Sequence, residues 1–198
     1  MFPHFPKLSL TTTATHCRKR EICDSLGLIN PSIIEVNPDR RNIYFAAEKR
    51  PNRGDDKLDK ILNPLVDELR QKKIEAPKTL IYGSMEIIGE CYMYFSKQLG
   101  MMQYYPDGAD ACAANRLFTQ YHAQYPSYEQ ERILKEVVKS NSVIRFLFVT
   151  VAFGMGMGMG IDCPDIRRII QIDPPRTMEE YFQEAGRAGR DGNPAYVK

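Results

Sequence analysis

Apolar runs that alternate with amphipathic stretches are the feature of this 198-residue chain that most restricts its fold. Three apolar runs, at 78–82, 143–150 and 168–172, are each long enough for one buried strand. The stretches between them have the spacing of helices buried along one side. This alternation is typical of βαβ units, whose strands are parallel. The sequence therefore predicts an α/β fold built on a parallel sheet.

Shorter elements are expected around these strands. Segments 33–36 and 42–47 are candidates for two short strands. A helix is predicted over 85–99, because its apolar residues recur on one face, and Gly100 is a suitable residue to end it.

Three further helices are predicted, two of them from capping patterns. A Ser-x-x-Gln pattern opens the helix at 127–139, and Thr177 opens another through Thr-x-x-Glu. Segment 57–72 is helical by periodicity, but Pro64 is expected to kink or break it. Segment 101–115 has little periodicity and is expected to be mostly loop.

Composition limits the possible partners. The net charge is only +2, so any contact with nucleic acid must be local, and the short run 18–20 (RKR) is interpreted as a solvated helix face. No run approaches the roughly 20 apolar residues of a membrane span, and the N-terminus has no signal-peptide core. The five cysteines contain no CxxC pair, so a zinc site is not supported. We expect an intracellular protein without membrane contact or zinc.

The decapeptide at 183–192 (QEAGRAGRDG) is the strongest chemical signal in the chain. Arg187 and Arg190 are three apart, so they fall on one side of a helical turn. Gly186 and Gly189 carry no side chain that would keep a ligand away. Two guanidinium groups beside open backbone suit a triphosphate, whose transition-state charge a positioned arginine neutralises. The alternative is a solvated Gly-Arg turn.

This decapeptide resembles motif VI of the RecQ-type DNA helicases of helicase superfamily two. Further segments are similar to other motifs of that family, in the same order: 9–15 (SLTTTAT) to motif III, 79–84 (TLIYGS) to motif IV, 121–123 (YHA) to the segment that follows it, and 148–155 with 160–165 (FVTVAFGM and GIDCPD) to motif V. The resemblance implies a RecA-like parallel sheet with helices on both faces, the C-terminal lobe of an ATP-dependent 3′→5′ DNA helicase.

The resemblance also implies a domain division. Residues 1–30 would be a remnant of the first RecA-like lobe, its motif III strand and helix. Residues 31–198 would be the second lobe, truncated at its C-terminus. The first lobe's phosphate loop and DExH box do not occur in the sequence, and the Gly-Met run at 154–160 has no Lys, Ser or Thr to replace them. ATP and Mg²⁺ would be bound mainly by the missing lobe, and the chain alone is expected not to hydrolyse ATP.

Roles at the nucleotide follow from the resemblance. Arg190 would be the arginine finger on the γ-phosphate and Arg187 a second phosphate contact, while Gln183 would couple the nucleotide to lobe closure. Asp162 would meet the ribose or link it to motif VI. The glycines expected beside the nucleotide are Gly160, Gly186 and Gly189. Alternatively, Asp162 is a turn residue and Gln183 an exposed helix residue.

Roles at the nucleic acid follow in the same way. Thr150 would form a hydrogen bond with a DNA phosphate, and Ser84 and His122 would lie beside the bound DNA strand. Alternatively, Thr150 satisfies a backbone group at the end of its strand. The expected partner is single-stranded or forked DNA, and a nuclear role in repair and recombination is implied by the family alone.

The chain departs from the family pattern in two places. The motif written FGMGID in the family is four residues longer here, over 153–162, although its loop must place Thr150 and Asp162 together. Gly83 and Met85 stand where the family has Cys and Arg.

Three other interpretations stay open. The parent could be an RNA helicase of the same superfamily. The chain could be a non-enzymatic module that binds nucleic acid or protein, or a decayed helicase copy.

Overall fold

The computed structural model describes residues 5–11, 15–35, 39–48, 57–150 and 163–198. The chain divides into two compact units, Met1–Arg40 and Arg41–Lys198. The first unit contains helix α1 (His16–Leu26), which begins where Thr15 Oγ1 accepts the Arg18 N–H and ends at Gly27 with a φ of 56°.

Two strands were predicted in this first unit, the motif III strand within residues 1–30 and a strand at 33–36. Residues 6–11 and 33–35 contain no strand within the described part of the chain. The strand predicted at 33–36 is therefore wrong for 33–35, and residues 12–14 and 36 lie outside the described residues. The arginines of the RKR run are exposed on α1, as predicted.

The second unit is built on a six-stranded sheet, and its strand pairs are all parallel. The strands are β1 (Ile43–Phe45), β2 (Thr79–Tyr82), β3 (Phe118–Tyr121), β4 (Phe146–Val149), β5 (Arg168–Gln171) and β6 (Ala195–Val197), and their order is β1-β6-β5-β2-β4-β3. The predicted parallel α/β fold is confirmed. Strands β3 and β6 were not predicted, because β3 has two adjacent polar residues at its centre and β6 has only three residues.

Helices cover both faces of this sheet. They are α2 (Lys57–Lys72), α3 (Met85–Leu99), α4 (Ser127–Val137) and α5 (Met178–Ala185), with short 3₁₀ turns at Lys73–Glu75, Gly100–Gln103 and Ala113–Asn115. The apolar residues of α2 and α3 pack on one face, and those of α4 and α5 pack on the other. The predicted two-sided arrangement is confirmed.

Strand alternation supplies both cores, because successive side chains point to opposite faces. On β4, Phe146 and Phe148 face α2 and α3, where Phe95 packs against both rings with centroids 5.3 and 5.0 Å away. Leu147 and Val149 face the other way, toward Ile133 of α4. Each core is closed by side chains that are almost fully buried, so each face of the sheet holds its helices by apolar burial.

Two helix predictions need correction. Helix α2 runs through Pro64 without a break, because Pro64 lies on the exposed side while Leu62, Leu65 and Leu69 are buried. The capping box predicted at Ser127 is wrong, because Pro126 is the N-cap and Ser127 is the first helical residue.

Other local predictions are confirmed. Thr177 Oγ1 accepts the Glu180 N–H at 3.1 Å, and Glu180 Oε2 accepts the Arg176 N–H at 2.7 Å, which together fix the start of α5. Helix α3 ends at Gly100 as expected. Segment 101–115 is mostly irregular apart from its short 3₁₀ turns.

Candidate functional site

The carboxyl ends of three neighbouring strands bring together the three residues predicted to contact nucleic acid. Ser84 lies two residues after β2, Thr150 directly follows β4, and His122 directly follows β3. The Thr150 N–H donates to the Tyr121 carbonyl at 3.4 Å, and the Gly83 N–H donates to the Val149 carbonyl at 3.2 Å. These bonds extend the β2-β4-β3 ladder, so the three residues share one edge of the sheet.

Their side chains differ in what they offer at that edge. Ser84 is exposed, but its Oγ accepts the Ile87 N–H at 3.4 Å and caps α3, while its own N–H donates to Asp173 Oδ2 at 2.8 Å. Thr150 is half-buried. His122 is buried and stacks on Tyr125 with ring centroids 4.3 Å apart. Burial lowers the His122 pKa, so its imidazole is neutral at pH 7.

The segment after His122 is braced by α4. The Gln130 side-chain amide donates to the carbonyls of Tyr125 at 2.6 Å and Ala123 at 3.3 Å, and its oxygen accepts the Tyr121 hydroxyl at 3.1 Å. Gln130 therefore holds the loop that leaves β3 rather than capping the helix that contains it.

Glycine at 83, one of the departures from the family pattern, has a local cause. A Cβ built there would lie 2.8 Å from Ile87 Cγ2 and 3.2 Å from Ile87 Cβ. A side chain at 83 would push the first turn of α3 away from the strand that precedes it. Met85 is half-exposed at the start of α3, where it supplies no charge.

The predicted nucleotide-binding turn follows α5 directly. The Gly189 N–H donates to the Ile166 carbonyl at 2.8 Å, which ties the turn to the approach of β5. Asn42 Nδ2 donates to the carbonyls of Gly189 at 2.7 Å and Asn193 at 2.9 Å. Two contacts distant in sequence therefore set the path of the turn.

Gly189 lacks a side chain for a reason internal to the protein. Its φ is +52°, and a Cβ there would lie 2.6 Å from Asn42 Nδ2 and 2.7 Å from the Asn193 carbonyl oxygen. Gly186 has ordinary helical torsions, and a Cβ there would lie 3.0 Å from the Phe182 carbonyl oxygen. Close packing of the turn accounts for Gly189 without a ligand.

Arg190 is exposed between two fixed neighbours. Gly189 precedes it, and Asp191 follows it in a two-pronged ion pair with Arg167, one arm of which joins Arg167 Nη1 to Asp191 Oδ1 at 2.9 Å. The Arg167 guanidinium holds the pKa of the Asp191 carboxyl well below its usual range. The backbone that carries Arg190 is therefore preorganised.

Arg187 points the other way. It is buried in the turn after α5, near two other buried groups, Tyr82 of β2 and Glu184 of α5. Gln171 Nε2 donates to Glu184 Oε2 at 2.5 Å. Burial raises the pKa of Glu184 to about 7, and it also raises the pKa of Tyr82, a rise that the Arg187 charge opposes. The two arginines predicted on one side of a turn thus occupy different environments.

The remaining predicted residues are less informative. Gln183 is exposed on α5. Asp162, Gly160 and the lengthened Gly-Met run lie outside the described residues.

A buried lysine anchors the segment that leads into β5. Lys78 Nζ donates to the Val137 carbonyl at 2.8 Å, the Lys139 carbonyl at 2.7 Å and Asp165 Oδ1 at 2.9 Å. Burial raises the pKa of the neighbouring Cys163 thiol to about 12. This cluster fixes the approach to β5, to which Gly189 is also bonded.

Several residues that shape the site were not predicted: Asn42, Lys78, Tyr82, Arg167 and Glu184. Their contacts span long separations, such as the 147 residues between Asn42 and Gly189, so periodicity and local motifs carry no signal for them. Glu184 lies inside the recognised decapeptide, but an isolated carboxyl there reads as a solvated helix residue.

Among the described residues, no group of three or more His, Cys, Asp or Glu side chains is placed to hold a metal ion. Of the helices in the described ranges, none is both long enough and apolar enough to cross a membrane.

Comparison with known proteins adds three findings. Residues 72–192 match the family described as the helicase conserved C-terminal domain. The chain is 28% identical over 195 residues to the ATP-dependent helicase wrn-1 of Caenorhabditis elegans, covering 98% of this chain and 16% of that protein. It is also 28% identical over 195 residues to the ATP-dependent DNA helicase RecQ of Pasteurella multocida, with 98% and 26% covered.

A solved structure of Saccharomyces cerevisiae Dbp5, bound to RNA and ADP BeF₃, has a similar fold. The TM-score is 0.62 at 14% identity, and the match covers 94% of this chain and 42% of that one. At this identity the likeness concerns the fold alone. The chain spans between about a sixth and a quarter of the length of the two curated relatives.

Proposed function

Because the chain belongs to the helicase conserved C-terminal domain family and its relatives include RecQ, we propose that it forms the second RecA-like lobe of an ATP-dependent 3′→5′ DNA helicase. In this proposal residues 31–198 make the lobe, and residues 1–30 belong to the end of a first lobe. The lobe supplies half of an ATP site and part of a nucleic-acid track.

The observation that carries this proposal is the exposed Arg190 on a backbone fixed from both sides. An arginine finger must meet the γ-phosphate as charge builds up on its oxygens, and a preorganised guanidinium does so with little reorganisation. The ties from Asn42 to Gly189 and from Arg167 to Asp191 supply that preorganisation. We assign Arg190 as the finger.

The other nucleotide contacts support this assignment less directly. Arg187, Gln183, Gly186 and Gly189 lie on the same helix end and turn, and Asp162 with Gly160 completes the proposed set. Of the two arginines, Arg190 is exposed and Arg187 is buried. Arg187 reaches a phosphate only if its buried side chain turns outward.

ATP and Mg²⁺ are proposed to be held mainly by a first lobe. The sequence contains no GK[ST] phosphate loop and no DExH box, the elements that cradle the phosphates and the metal. When bound, Mg²⁺ neutralises charge on the β- and γ-phosphates. An arginine finger acts on a triphosphate that other residues bind, so this chain alone should not turn over ATP.

The nucleic-acid track is proposed at the β2-β4-β3 edge, where Ser84 and Thr150 reach solvent. The proposed partner is single-stranded or forked DNA, with repair or recombination in the nucleus as the setting. His122 is buried and neutral, so we assign it to shaping the edge and not to binding a phosphate through charge.

ATP hydrolysis tests the nucleotide half of the proposal. The chain alone should show only background hydrolysis with or without DNA. A first RecA-like lobe that carries a phosphate loop and a DExH box, added separately or fused ahead of residue 31, should give DNA-stimulated hydrolysis. Arg190→Ala should then reduce kcat by roughly a thousandfold, whereas Arg176→Ala, at an exposed arginine just before α5, should change it less than about twofold.

Two results would contradict the assignment. Hydrolysis by the chain alone that persists through further purification would show that the division of the site between lobes is wrong. Equal kcat values for the Arg190 and Arg176 variants would remove Arg190 from the finger role.

A charge change at Ser84 tests the nucleic-acid half. Ser84→Asn and Ser84→Asp both keep an N-cap acceptor for α3, so both should fold. If a phosphate passes this point, Asp should weaken single-stranded DNA binding by roughly tenfold more than Asn, because a carboxylate repels the phosphate. Fluorescence anisotropy at fixed salt measures the difference, and equal affinities would move the track elsewhere.

A further inference from the structure

Three buried polar side chains converge between α5 and the sheet, one from β2, one from α5 and one from the turn that follows α5. Tyr82 is 2% exposed, Glu184 6% and Arg187 8%. Tyr82 and Gln171 are register partners on β2 and β5, so their side chains stand on the same face of the sheet, beneath α5. Glu184 and Arg187 are three apart at the end of α5, and the Arg187 N–H donates to the Glu184 carbonyl at 3.1 Å.

Hydrogen bonding within this cluster is uneven. Gln171 Nε2 donates to Glu184 Oε2 at 2.5 Å, which fixes one carboxyl oxygen. Within the described part of the chain, the other oxygen, Oε1, and the Tyr82 hydroxyl are buried and neither makes a hydrogen bond of good geometry, although the Arg187 guanidinium is close enough to interact with both groups. Buried polar atoms of this kind cost free energy unless another group compensates them. The guanidinium beside them is the group with the donors and the charge to do so.

We propose that Glu184, held by Gln171, and the Tyr82 hydroxyl are positioning residues that set the orientation of Arg187 in the nucleotide site. The role of Arg187 at the nucleotide rests on the proposed function; its dependence on Glu184 and Tyr82 does not. Glu184 and Tyr82 hold the Arg187 guanidinium toward the sheet, so the exposure of that guanidinium depends on the charge of the Glu184 carboxyl.

That charge changes near neutral pH. Burial raises the pKa of Glu184 to about 7, the hydrogen bond from Gln171 lowers it, the charge of Glu180 raises it and the charge of Arg187 lowers it. The groups that face the cluster are Gln171 from β5, Tyr82 from β2, and Glu180 and Arg187 from α5 and the residues after it, with Arg190 acting on Tyr82 from the same turn. Above pH 7 the ionised carboxylate attracts the guanidinium, and below pH 7 the neutral acid attracts it less.

Nuclear magnetic resonance of the arginine side chains tests this directly, without nucleotide or a second lobe. The Arg187 Nε and Cζ signals of the labelled chain are assigned by their loss in Arg187→Lys. Between about pH 5 and pH 9 they should titrate with a midpoint near 7. Glu184→Gln keeps a hydrogen-bonding side chain but cannot ionise, so it should abolish that titration. Glu179→Gln, an exposed glutamate on the same helix, should leave it unchanged.

Exchange of the Arg187 Nε–H with solvent tests the positioning itself. Glu184→Ala should speed exchange by at least roughly tenfold, and Tyr82→Phe, which removes only the hydroxyl, by several-fold. Unchanged exchange in both variants would overturn the proposal, as would a midpoint near 7 that survives in Glu184→Gln. Far-ultraviolet circular dichroism of each variant shows that it has folded.

The outcome separates this inference from the proposed function. Titration and exchange that behave as expected, together with no hydrolysis in the presence of a first lobe, would leave the positioning of Arg187 intact and refute its catalytic setting. If ATP hydrolysis depends on Arg190 but substitution of Glu184 does not change the Arg187 signal, the proposed function is supported and the positioning of Arg187 by Glu184 is refuted.

Discussion

Gly189→Ala tests how tightly the turn that carries Arg190 is fixed. Gly189 has a φ of +52°, a conformation that costs an L-residue about 1–2 kcal/mol. A methyl group there would also meet Asn42 Nδ2 at 2.6 Å, the Asn193 carbonyl oxygen at 2.7 Å and Ala195 Cβ at 3.0 Å. The substitution therefore adds a steric conflict to a torsional one.

The two contributions can be given magnitudes. To make room, the Asn42 amide must withdraw and give up hydrogen bonds to Gly189 and Asn193, each worth about 0.5–1.5 kcal/mol. With the torsional cost, and after the gain from a less flexible unfolded chain, the free energy of unfolding should fall by about 3 kcal/mol. Urea unfolding followed by circular dichroism and tyrosine fluorescence measures it, since the chain has 11 Tyr and no Trp.

Gly192→Ala is the matched control. Gly192 also has a positive φ, of +83°, but a methyl group built there meets no atom of the described residues within 4 Å. It should carry the torsional cost alone, about 1 kcal/mol after the gain from a less flexible unfolded chain. The two substitutions should therefore differ by about 2 kcal/mol.

A double substitution identifies the cause of that difference. If the conflict lies with the Asn42 amide, Asn42→Ala removes it in advance, and Asn42→Ala with Gly189→Ala should cost at least about 1 kcal/mol less than the sum of the single changes. Additive costs, or equal losses for the Gly189 and Gly192 variants, would refute the reasoning that Asn42 and Gly189 are packed against each other.

Three further predictions concern buried groups. The raised pKa of Glu184 stabilises the folded protein fully below pH 4.5, and this stabilisation is lost as pH rises to about 7. The Glu184→Gln variant cannot ionise, so between pH 4.5 and 7 its free energy of unfolding should rise by about 3 kcal/mol relative to that of the unchanged protein. Urea titrations at several pH values measure this difference. Lys78→Met should lower the free energy of unfolding, measured in urea, by about 2–3 kcal/mol, because Asp165 and two backbone carbonyls lose their hydrogen-bond donor. Lys135→Met removes an exposed ion pair and should lower it by less than about 0.5 kcal/mol. A thiol reagent should label the exposed cysteines at once and the buried pair, whose pKa values burial raises to about 12, only on unfolding; the exposed ones are Cys17 and Cys112, and the buried ones are Cys91 and Cys163.

The sheet was largely predictable because its central strands are buried on both faces. Runs such as 78–82 and 143–150 are mostly apolar, as parallel strands between two helical layers must be, and their polar residues lie toward the ends of the runs. Their ends were less predictable: β4 is Phe146–Val149, four residues of the eight expected. Edge strand β3 escaped notice because its sequence, FTQY, is half polar, and its place in the sheet comes from pairing with β4.

Helix boundaries show where a local rule loses to tertiary packing. Pro64 removes one backbone hydrogen bond, yet α2 continues because its buried leucines hold both halves of the helix against α3. Gln130 has the right spacing for a capping box at Ser127, but its amide bonds to the loop before the helix. In both cases the local pattern is present in the sequence, but the structure drawn from it was wrong because contacts outside the pattern decided the outcome.

The divergence of the two arginines explains why the site was only half predictable. Three-residue spacing places Arg187 and Arg190 on one side of a helix, but α5 ends at Ala185, before either of them. Gly189, at a φ of +52°, then turns the chain between the two, so helical phase no longer relates their side chains. What directs each one comes from elsewhere in the fold: Asn42 and Arg167 for the outward Arg190, and β2 and β5 for the inward Arg187. A motif can therefore name the residues of such a site, while the assignment of each to phosphate contact or to internal support depends on contacts from other elements, between 13 and 147 residues away in sequence.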